Sequence, residues 1–319
     1  MKLIDMHCDT LWRLSEDPNM NFQKGALCVD LEKMKMAGSI VQFFAAFIYM
    51  DEIQGEDPWG QGYEKALNMI NSGKKLFDSH SHAIRLVKNY EEFLICQEED
   101  KISAFLTVEE GGILDGDLKR LEHLYQEGVR LLTLTWNHEN CIGYPNSRNA
   151  SIMEKGLKEF GFYVVEKMNE LGMLIDVSHL SDGGFWDVIR HSKKPIVASH
   201  SNARALCNHP RNLTDDMIRA LSKQGGITGV NVYPYFVKPE GKIQAEDIAD
   251  HVSYLYQVGG EDVISMGTDF DGFDNGESNV NHIGQMGLLY DIVKKRGFTE
   301  RQMDKFWNQN AMRVIQTVR

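Results

Sequence analysis

Leu3-Ile4-Asp5-Met6-His7-Cys8-Asp9 opens the chain almost at its first residue, and the reading of this stretch organises the rest. Residues 3–6 form a short apolar run of strand type. In an extended chain, residues i and i+2 share a face. His7 and Asp9 therefore project together from the strand end, an imidazole and a carboxylate able to hold one divalent ion. A His-x-Asp triplet is common by chance. The case depends on further ligands at comparable places.

Apolar, β-branched or aromatic runs recur at residues 40–48, 102–108, 131–135, 173–177, 196–199, 227–232 and 263–266. Amphipathic helical patterns lie between most of them, at 63–76, 118–127, 156–171, 185–191, 214–223, 245–258 and 283–295. Ser181, Thr214 and Thr299 are expected helix starts, and Gly172, Gly225 and Gly259 expected stops. Eight strands alternating with helices predict parallel βαβ units. The fold class is therefore α/β, with a (β/α)8 TIM-type barrel expected over 1–319 as one domain. An open doubly wound sheet is the alternative, but no GxGxxG follows any strand. Residues 51–62 and 137–153 are expected long loops, and 298–319 a closing helix.

Composition narrows the function. Of 319 residues, 42% are hydrophobic and 25% charged, which is ordinary for a globular chain. With 46 acids against 34 bases, the net charge is −12 and no basic run stands out, which argues against a nucleic-acid partner. Cys8, Cys28, Cys96, Cys141 and Cys207 contain no CxxC and are odd in number, so reduced thiols and a cytoplasmic setting are expected. No apolar run approaches the ~20 residues of a membrane helix, and no signal pattern precedes the first strand. A homodimer is the default expectation from the prevalence of two-fold assemblies.

Five of the strand ends carry metal-competent or acid–base residues: His7 and Asp9; Glu109 and Glu110; His179; His200; Asp269 and Asp271. On a (β/α)8 barrel, functional groups gather at this C-terminal rim. Three imidazoles with carboxylates suit Zn²⁺, Mn²⁺, Co²⁺ or Fe²⁺ better than Ca²⁺ or Mg²⁺. The set exceeds the needs of one tetrahedral ion, and two ions bridged by a carboxylate would use it fully. Each residue also has a structural reading. His179 and His200, taken singly, read as core histidines, and one of Glu109 and Glu110 as a solvated rim residue. Asp271 before Gly272 reads as a loop cap. His80, His82, His123, His191, His251 and His282 read as surface or packing residues, and the Met residues as core filling.

In combination and order the motifs resemble the membrane dipeptidase (renal dipeptidase) family of zinc metallopeptidases, within the amidohydrolase-like barrels. They are Ile-Asp-Met-His-Cys-Asp from residue 4, Glu-Gly-Gly from 110, Gly-Val-Arg-Leu-Leu-Thr-Leu-Thr from 128, and Asp-Val-Ser-His from 176. Ser-His-Ser from 199, Arg-Asn-Leu-Thr-Asp-Asp from 211 and Gly-Thr-Asp-Phe-Asp-Gly from 267 complete the set. The resemblance implies two zinc ions, with Mn²⁺ or Co²⁺ as substitutes. His7 and Asp9 would hold one, His179 and His200 the other, and Glu110 would bridge them. It implies Arg211 as the partner of the substrate carboxylate and Asp269 as the proton-transfer residue. A hydroxide shared by the ions would attack the peptide bond of a dipeptide. Cys8, between the ligands, should face away from the metals.

One departure stands out. Better-known members carry a substrate-binding histidine directly after Thr-Leu-Thr, where this chain has Trp136, with His138 two residues on. Either His138 reaches the same spot and stabilises the oxyanion, or Trp136 reshapes the substrate pocket. The mammalian members also carry a secretion signal and a lipid anchor. Neither pattern is found here, so a soluble bacterial-type relative is expected. β-Lactam or N-acyl amino acid hydrolysis at the same site, and a non-catalytic barrel, are the competing functions.

Overall fold

The eight apolar runs become strands of one closed sheet in the computed structural model, which describes residues 1–274 and 278–319. The strands are β1 (Leu3–Cys8), β2 (Ser39–Phe47), β3 (Ile84–Leu86), β4 (Ile102–Glu109), β5 (Val129–Thr133), β6 (Leu174–Asp176), β7 (Val197–Ala198), β8 (Ile227–Val230) and β9 (Ile264–Met266). All their pairings are parallel. Around the ring, β2 pairs with β1, β1 with β9, and the order then descends to β4, which closes the circle on β2 from Val41↔Ser103 to Phe47↔Glu109. The result is a (β/α)8 barrel. The short β3 lies outside the ring and pairs with Ile102, Ser103 and Ala104 of β4, below the point where β5 joins at Leu106. Three residues are too few to show a period, so this strand left no pattern in the sequence.

Strands buried on both faces read as near-continuous apolar runs, as β1, β2 and β4 do. Ile4, Met6, Val41, Phe43, Phe105, Leu131, Leu174, Val197 and Ile227 fill the barrel interior. Phe43 and Phe105 stack there with centroids 4.8 Å apart. Ala311, Val314, Ile315 and Val318 of the C-terminal segment join this inner cluster. Asn308 and Asn310 donate to carbonyls of Lys2 and Ile264 at the strand starts, so the terminal helix floors the barrel at the end opposite the strand termini. A second, larger apolar layer separates the strands from the surrounding helices.

Local chemistry sets the helix boundaries. Ser181, Thr214 and Thr299 each accept from a backbone N–H in the first turn, and Gly172 ends its helix at φ 73°. The expected loop at 51–62 is shorter than its polarity suggests. Asp57 accepts from Gly60 N and Pro58 occupies the first helical position, so the helix Pro58–Ser79 begins inside it. The loop at 137–153 stands, with one helical turn at Ala150–Met153.

Candidate functional site

β4 alternates strictly. Ile102, Ala104, Leu106 and Val108 pack outward against the helices. Ser103, Phe105, Thr107 and Glu109 therefore face the barrel axis. β1 does not keep this order. Ile4 and Met6 point inward, which by alternation would turn His7 outward. The pairing of β1 with β2 slips between Asp5 and Cys8. That irregularity re-aims the strand end, and His7 enters the barrel mouth beside Glu109. Asp9 follows at the head of the helix Thr10–Glu16, its Oδ2 3.5 Å from His7 Nε2.

His179 and Asp269 reach the mouth from left-handed backbone, at φ 68° and 63°. Such conformations persist in non-glycine residues only where neighbours hold them. Asn146 donates its backbone and side-chain N–H to His179 O, and Asp269 N donates to His7 O.

Glu109 lies at the centre. Its Oε2 is 3.3 Å from His7 Nε2, and its Oε1 is 3.1 Å from His179 Nε2 and 3.4 Å from His200 Nε2. The Asp269 carboxylate is 3.7 Å from His7 Nε2. The outer ring nitrogens settle what the inner ones offer. Ser199 Oγ donates to Asp176 Oδ2 at 2.6 Å, so its contact with His200 Nδ1 at 2.7 Å has the imidazole as donor. His179 Nδ1 meets the acceptor Asn137 Oδ1 at 3.1 Å. Each neutral ring then turns a bare lone pair inward. The two Nε2 atoms are 3.1 Å apart with Glu109 Oε1 beside them. Three acceptors thus converge without a proton between them, an arrangement that a cation relieves. Burial, joined by the positive Arg211, pushes the His179 pKa down to about 3, and burial with His7 holds His200 well below 6.5.

The other side of Glu109 is also short of partners. His7 Nδ1, His7 Nε2 and Asp9 Oδ1 are buried with no hydrogen-bond partner among the described residues. Burial would raise the Glu109 carboxyl, but the positive His7 holds it well below its usual range. Burial would lower His7, yet Glu109 and Asp9 raise it well above its ordinary value. Burial lifts Asp9 to about 6 and Asp269 to about 7. Two groups of donors come within metal-sharing distance, His7 with Glu109 and His200, and His7 with Asp9 and Asp269. Nitrogen and carboxylate donors on both sides of one carboxylate fit a pair of borderline divalent ions.

A family model for membrane dipeptidases, peptidase family M19, matches residues 1–319. The chain belongs to the membrane dipeptidase family. A Klebsiella pneumoniae protein from the pqqA 5′ region is 32% identical, over 77% of this chain and 93% of that protein. An uncharacterized dipeptidase of Schizosaccharomyces pombe is 28% identical, over 98% of this chain and 79% of that protein. The crystal structure of dipeptidase AC, an M19 metallopeptidase, is 26% identical with a TM-score of 0.91, covering 100% of this chain and 98% of that one. A Rhodobacter sphaeroides metallopeptidase, liganded with a phosphinate mimic of L-Ala-D-Ala, shares the fold at 24% identity and a TM-score of 0.90, covering 100% and 99%. Membership makes this chain a metal-dependent dipeptidase by family, a hydrolase.

Within this membrane dipeptidase barrel, His7, Asp9, His179 and His200 converge, while two sequence expectations change. Glu110 was expected to bridge two ions, but it is Glu109 whose carboxylate lies among His7, His179 and His200. Glu110 is the first residue after β4, at φ 112°, and its carboxylate turns out of the mouth. There it accepts from Asn140 Nδ2 at 2.6 Å, Gly112 N at 2.7 Å and Trp136 N at 3.2 Å. The two glycines that follow are required by packing. A Cβ on Gly111 would lie 2.7 Å from Leu134 O, and one on Gly112 2.4 Å from the Trp59 ring.

Two readings stood for the loop after β5, His138 at the oxyanion or Trp136 reshaping the pocket. His138 Nε2 pairs with Asp51 Oδ1 at 3.1 Å, half-buried beside the Trp136 ring and outside the lining of the cavity over Glu109. The bond from Trp136 N to Glu110 fixes the loop so that the indole, not His138, covers the mouth. Trp136 packs edge-on against Phe47 and Tyr49, with centroids 5.0 and 5.4 Å away. With Phe47, Tyr233, Phe236 and Phe273 it walls a cavity of about 160 Å³ over Asp9, Glu109, His179 and Asp269.

Arg211 is buried beside the mouth. Its guanidinium donates weakly to Ser201 Oγ and His200 O, at 3.3 and 3.4 Å, and its Nε has no partner among the described residues. Cys8 is buried in the outer layer, away from the ligand atoms, as expected. Asp271 accepts from Thr10 Oγ1 and from Cys28 N and Val29 N, a purely supporting role. Asn231, after β8, was not anticipated. Its Nδ2 donates to Asp269 Oδ2 at 2.9 Å, leaving Oδ1 toward His7. A neutral amide neither titrates nor stands out as a metal ligand, so nothing in the sequence marks Asn231.

Proposed function

We propose that this chain hydrolyses the peptide bond of free dipeptides with two divalent ions, Zn²⁺ by preference and Mn²⁺ or Co²⁺ as substitutes. His7 and Asp9 would hold one ion, His179 and His200 the other, with Glu109 shared between them. The observation that carries this reading is the convergence of three imidazoles on the Glu109 carboxylate, His7 on one oxygen and the unprotonated Nε2 atoms of His179 and His200 on the other. Bound ions of this kind polarise a carbonyl and make a shared water nucleophilic near neutral pH.

The remaining steps fall to the chain's own side chains. Arg211 takes the substrate's C-terminal carboxylate; its planar fork suits a bidentate pair. Asp269 removes the proton of the attacking water and returns it to the leaving amine. Burial brings its pKa to about 7, where one carboxyl can do both at neutral pH. Asn231 fixes the orientation of that carboxyl. The aromatic wall led by Trp136 excludes bulk water and limits the room for side chains. Five cysteines, odd in number and with no CxxC, fit a reducing, cytoplasmic setting.

The test is direct. Metal analysis of the purified protein should give two ions per chain, and dipeptide hydrolysis should vanish on chelation and return on adding Zn²⁺. A metal-free protein whose melting temperature ignores chelators, or a metal-loaded one inert to every dipeptide, would overturn the reading.

A further inference from the structure

Beside the aromatic cavity lies a larger one of about 700 Å³, which shares His179, Tyr233 and Phe236 with it. Two guanidinium groups line it, from Arg211 and Arg148. Arg211 forms the buried inner part next to the metal-site histidines, 5% exposed. Arg148 stands at the exposed rim, on the loop that Asn146 ties to His179 O. Among the described residues, Arg148 makes no ion pair or hydrogen bond. Arg211 likewise has no carboxylate in hydrogen-bond or ion-pair contact among the described residues.

Among the described residues no Asp or Glu lines this cavity, in a chain of net charge −12. A third arginine, Arg204, is neutralised by a two-pronged pair with Asp182 at 2.6 and 2.7 Å. Glu154 and Asp182 border the adjoining surface depression, which Arg148 also lines. His209, in the cavity wall, registers the positive field. Burial first, then Arg148, Arg211 and Arg204, push its pKa down to about 4. Two cations without anions in one concave site attract a ligand with two negative charges. Neutral amides of Asn137, Asn146 and Asn208 add hydrogen-bonding capacity without opposing charge.

We propose that Arg148 and Arg211 together make this cavity a receptor for a doubly anionic C-terminal residue, so that the chain prefers dipeptides ending in aspartate or glutamate. The assignment rests on the dipeptidase reading above. With the α-carboxylate on Arg211, beside the metal-site His179, the side chain of the same residue points away from the scissile bond. It then runs toward the rim, where Arg148 meets the second carboxylate. Trp136 and its aromatic neighbours border the N-terminal residue on the other side.

The experiment compares kcat/KM of the metal-loaded enzyme for Ala-Ala, Ala-Gln, Ala-Glu and Ala-Lys, each with L and D C-terminal residues. The acidic substrates should exceed their neutral counterparts by about tenfold or more, the worth of one charge-assisted contact. Arg148→Ala should cut the Glu-over-Gln ratio by about the same factor, and Arg148→Glu should shift the preference toward the Lys-ended dipeptide. Calorimetric binding of free glutamate and glutamine to the same proteins gives a second readout that needs no turnover, with the same ratio expected to collapse. Equal rates for Glu and Gln in the parent enzyme, or a ratio indifferent to both substitutions, would overturn this proposal while leaving the dipeptidase reading intact. Failure to hydrolyse any dipeptide would overturn both.

Discussion

Glu109 and Glu110 are adjacent in the chain, yet their carboxylates serve opposite sides of the β4 terminus. Glu109 lies 3.1 Å from His179 Nε2 and 3.3 Å from His7 Nε2, whereas Glu110 lies 2.6 Å from Asn140 Nδ2 and 3.2 Å from Trp136 N. One meets the convergent histidines; the other ties the rim loop. Glu109→Gln should therefore lose metal, read as ions per chain. Glu110→Gln should retain both ions but loosen Trp136, with kcat/KM down about 10–100-fold, the usual effect of an outer support of a metal site. Metal loss confined to Glu110→Gln would reverse the assignment.

Asp269 sits 3.7 Å from His7 Nε2 and is steered by Asn231. As the proton carrier, Asp269→Asn should keep both ions while kcat falls by about 10²–10⁴-fold, the span of general acid–base catalysis. Metal analysis of that variant decides the matter. Loss of an ion would make Asp269 a ligand, a role its proximity to His7 and Asp9 also permits.

Trp136 covers the mouth and His138 faces Asp51. His138→Ala should change kcat/KM by no more than about twofold, as for a surface substitution. Trp136→Ala should raise KM and broaden the accepted side chains, since it removes a wall of the cavity over the metal site. Steady-state kinetics on a dipeptide series measure both. A large kcat loss in His138→Ala, with KM unchanged, would restore His138 to the chemistry.

The metal-free protein should lose stability as pH rises above about 6.5. Asp269 and Glu110, raised to about 7, keep protons in the folded state that the unfolded chain has already released. His7, raised well above 6.5, likewise binds a proton more tightly when folded. Unfolding therefore releases protons in this window, and stability falls with pH. His179 and His200, lowered by burial, act oppositely, but only below 6.5, where their unfolded forms take up protons. Each net proton is worth about 1.4 kcal/mol per pH unit, or roughly 2 °C in Tm for a chain of this size. Bound ions replace these protons and should flatten the slope. A chelated protein with Tm constant or rising from pH 6.5 to 7.5 would contradict the argument.

The barrel was legible because its signal is local. Runs such as Ile40 to Ile48 and Ile102 to Val108 need only be apolar and β-branched to become buried strands, and Ser181, Thr214 and Thr299 begin helices by their own hydroxyls. The three-residue β3 and the start of the helix at Pro58 were harder, since neither leaves an apolar period of adequate length.

The site was legible as a set of residues and not as an arrangement. The sequence alone determined that His7, Asp9, a glutamate after Val108, His179, His200 and Asp269 stand at strand ends on one rim. Which glutamate, which way His7 points and whether His138 arrives were decided only by tertiary structure. The reason is that a strand buried on both faces carries no polar–apolar alternation to tell inside from outside. In β4 that parity comes from the closing of the barrel, which turns Phe105 and Glu109 inward. In β1 it comes from the slip against β2, which reverses the parity of His7 and brings the opening His-Cys-Asp triplet to face Glu109.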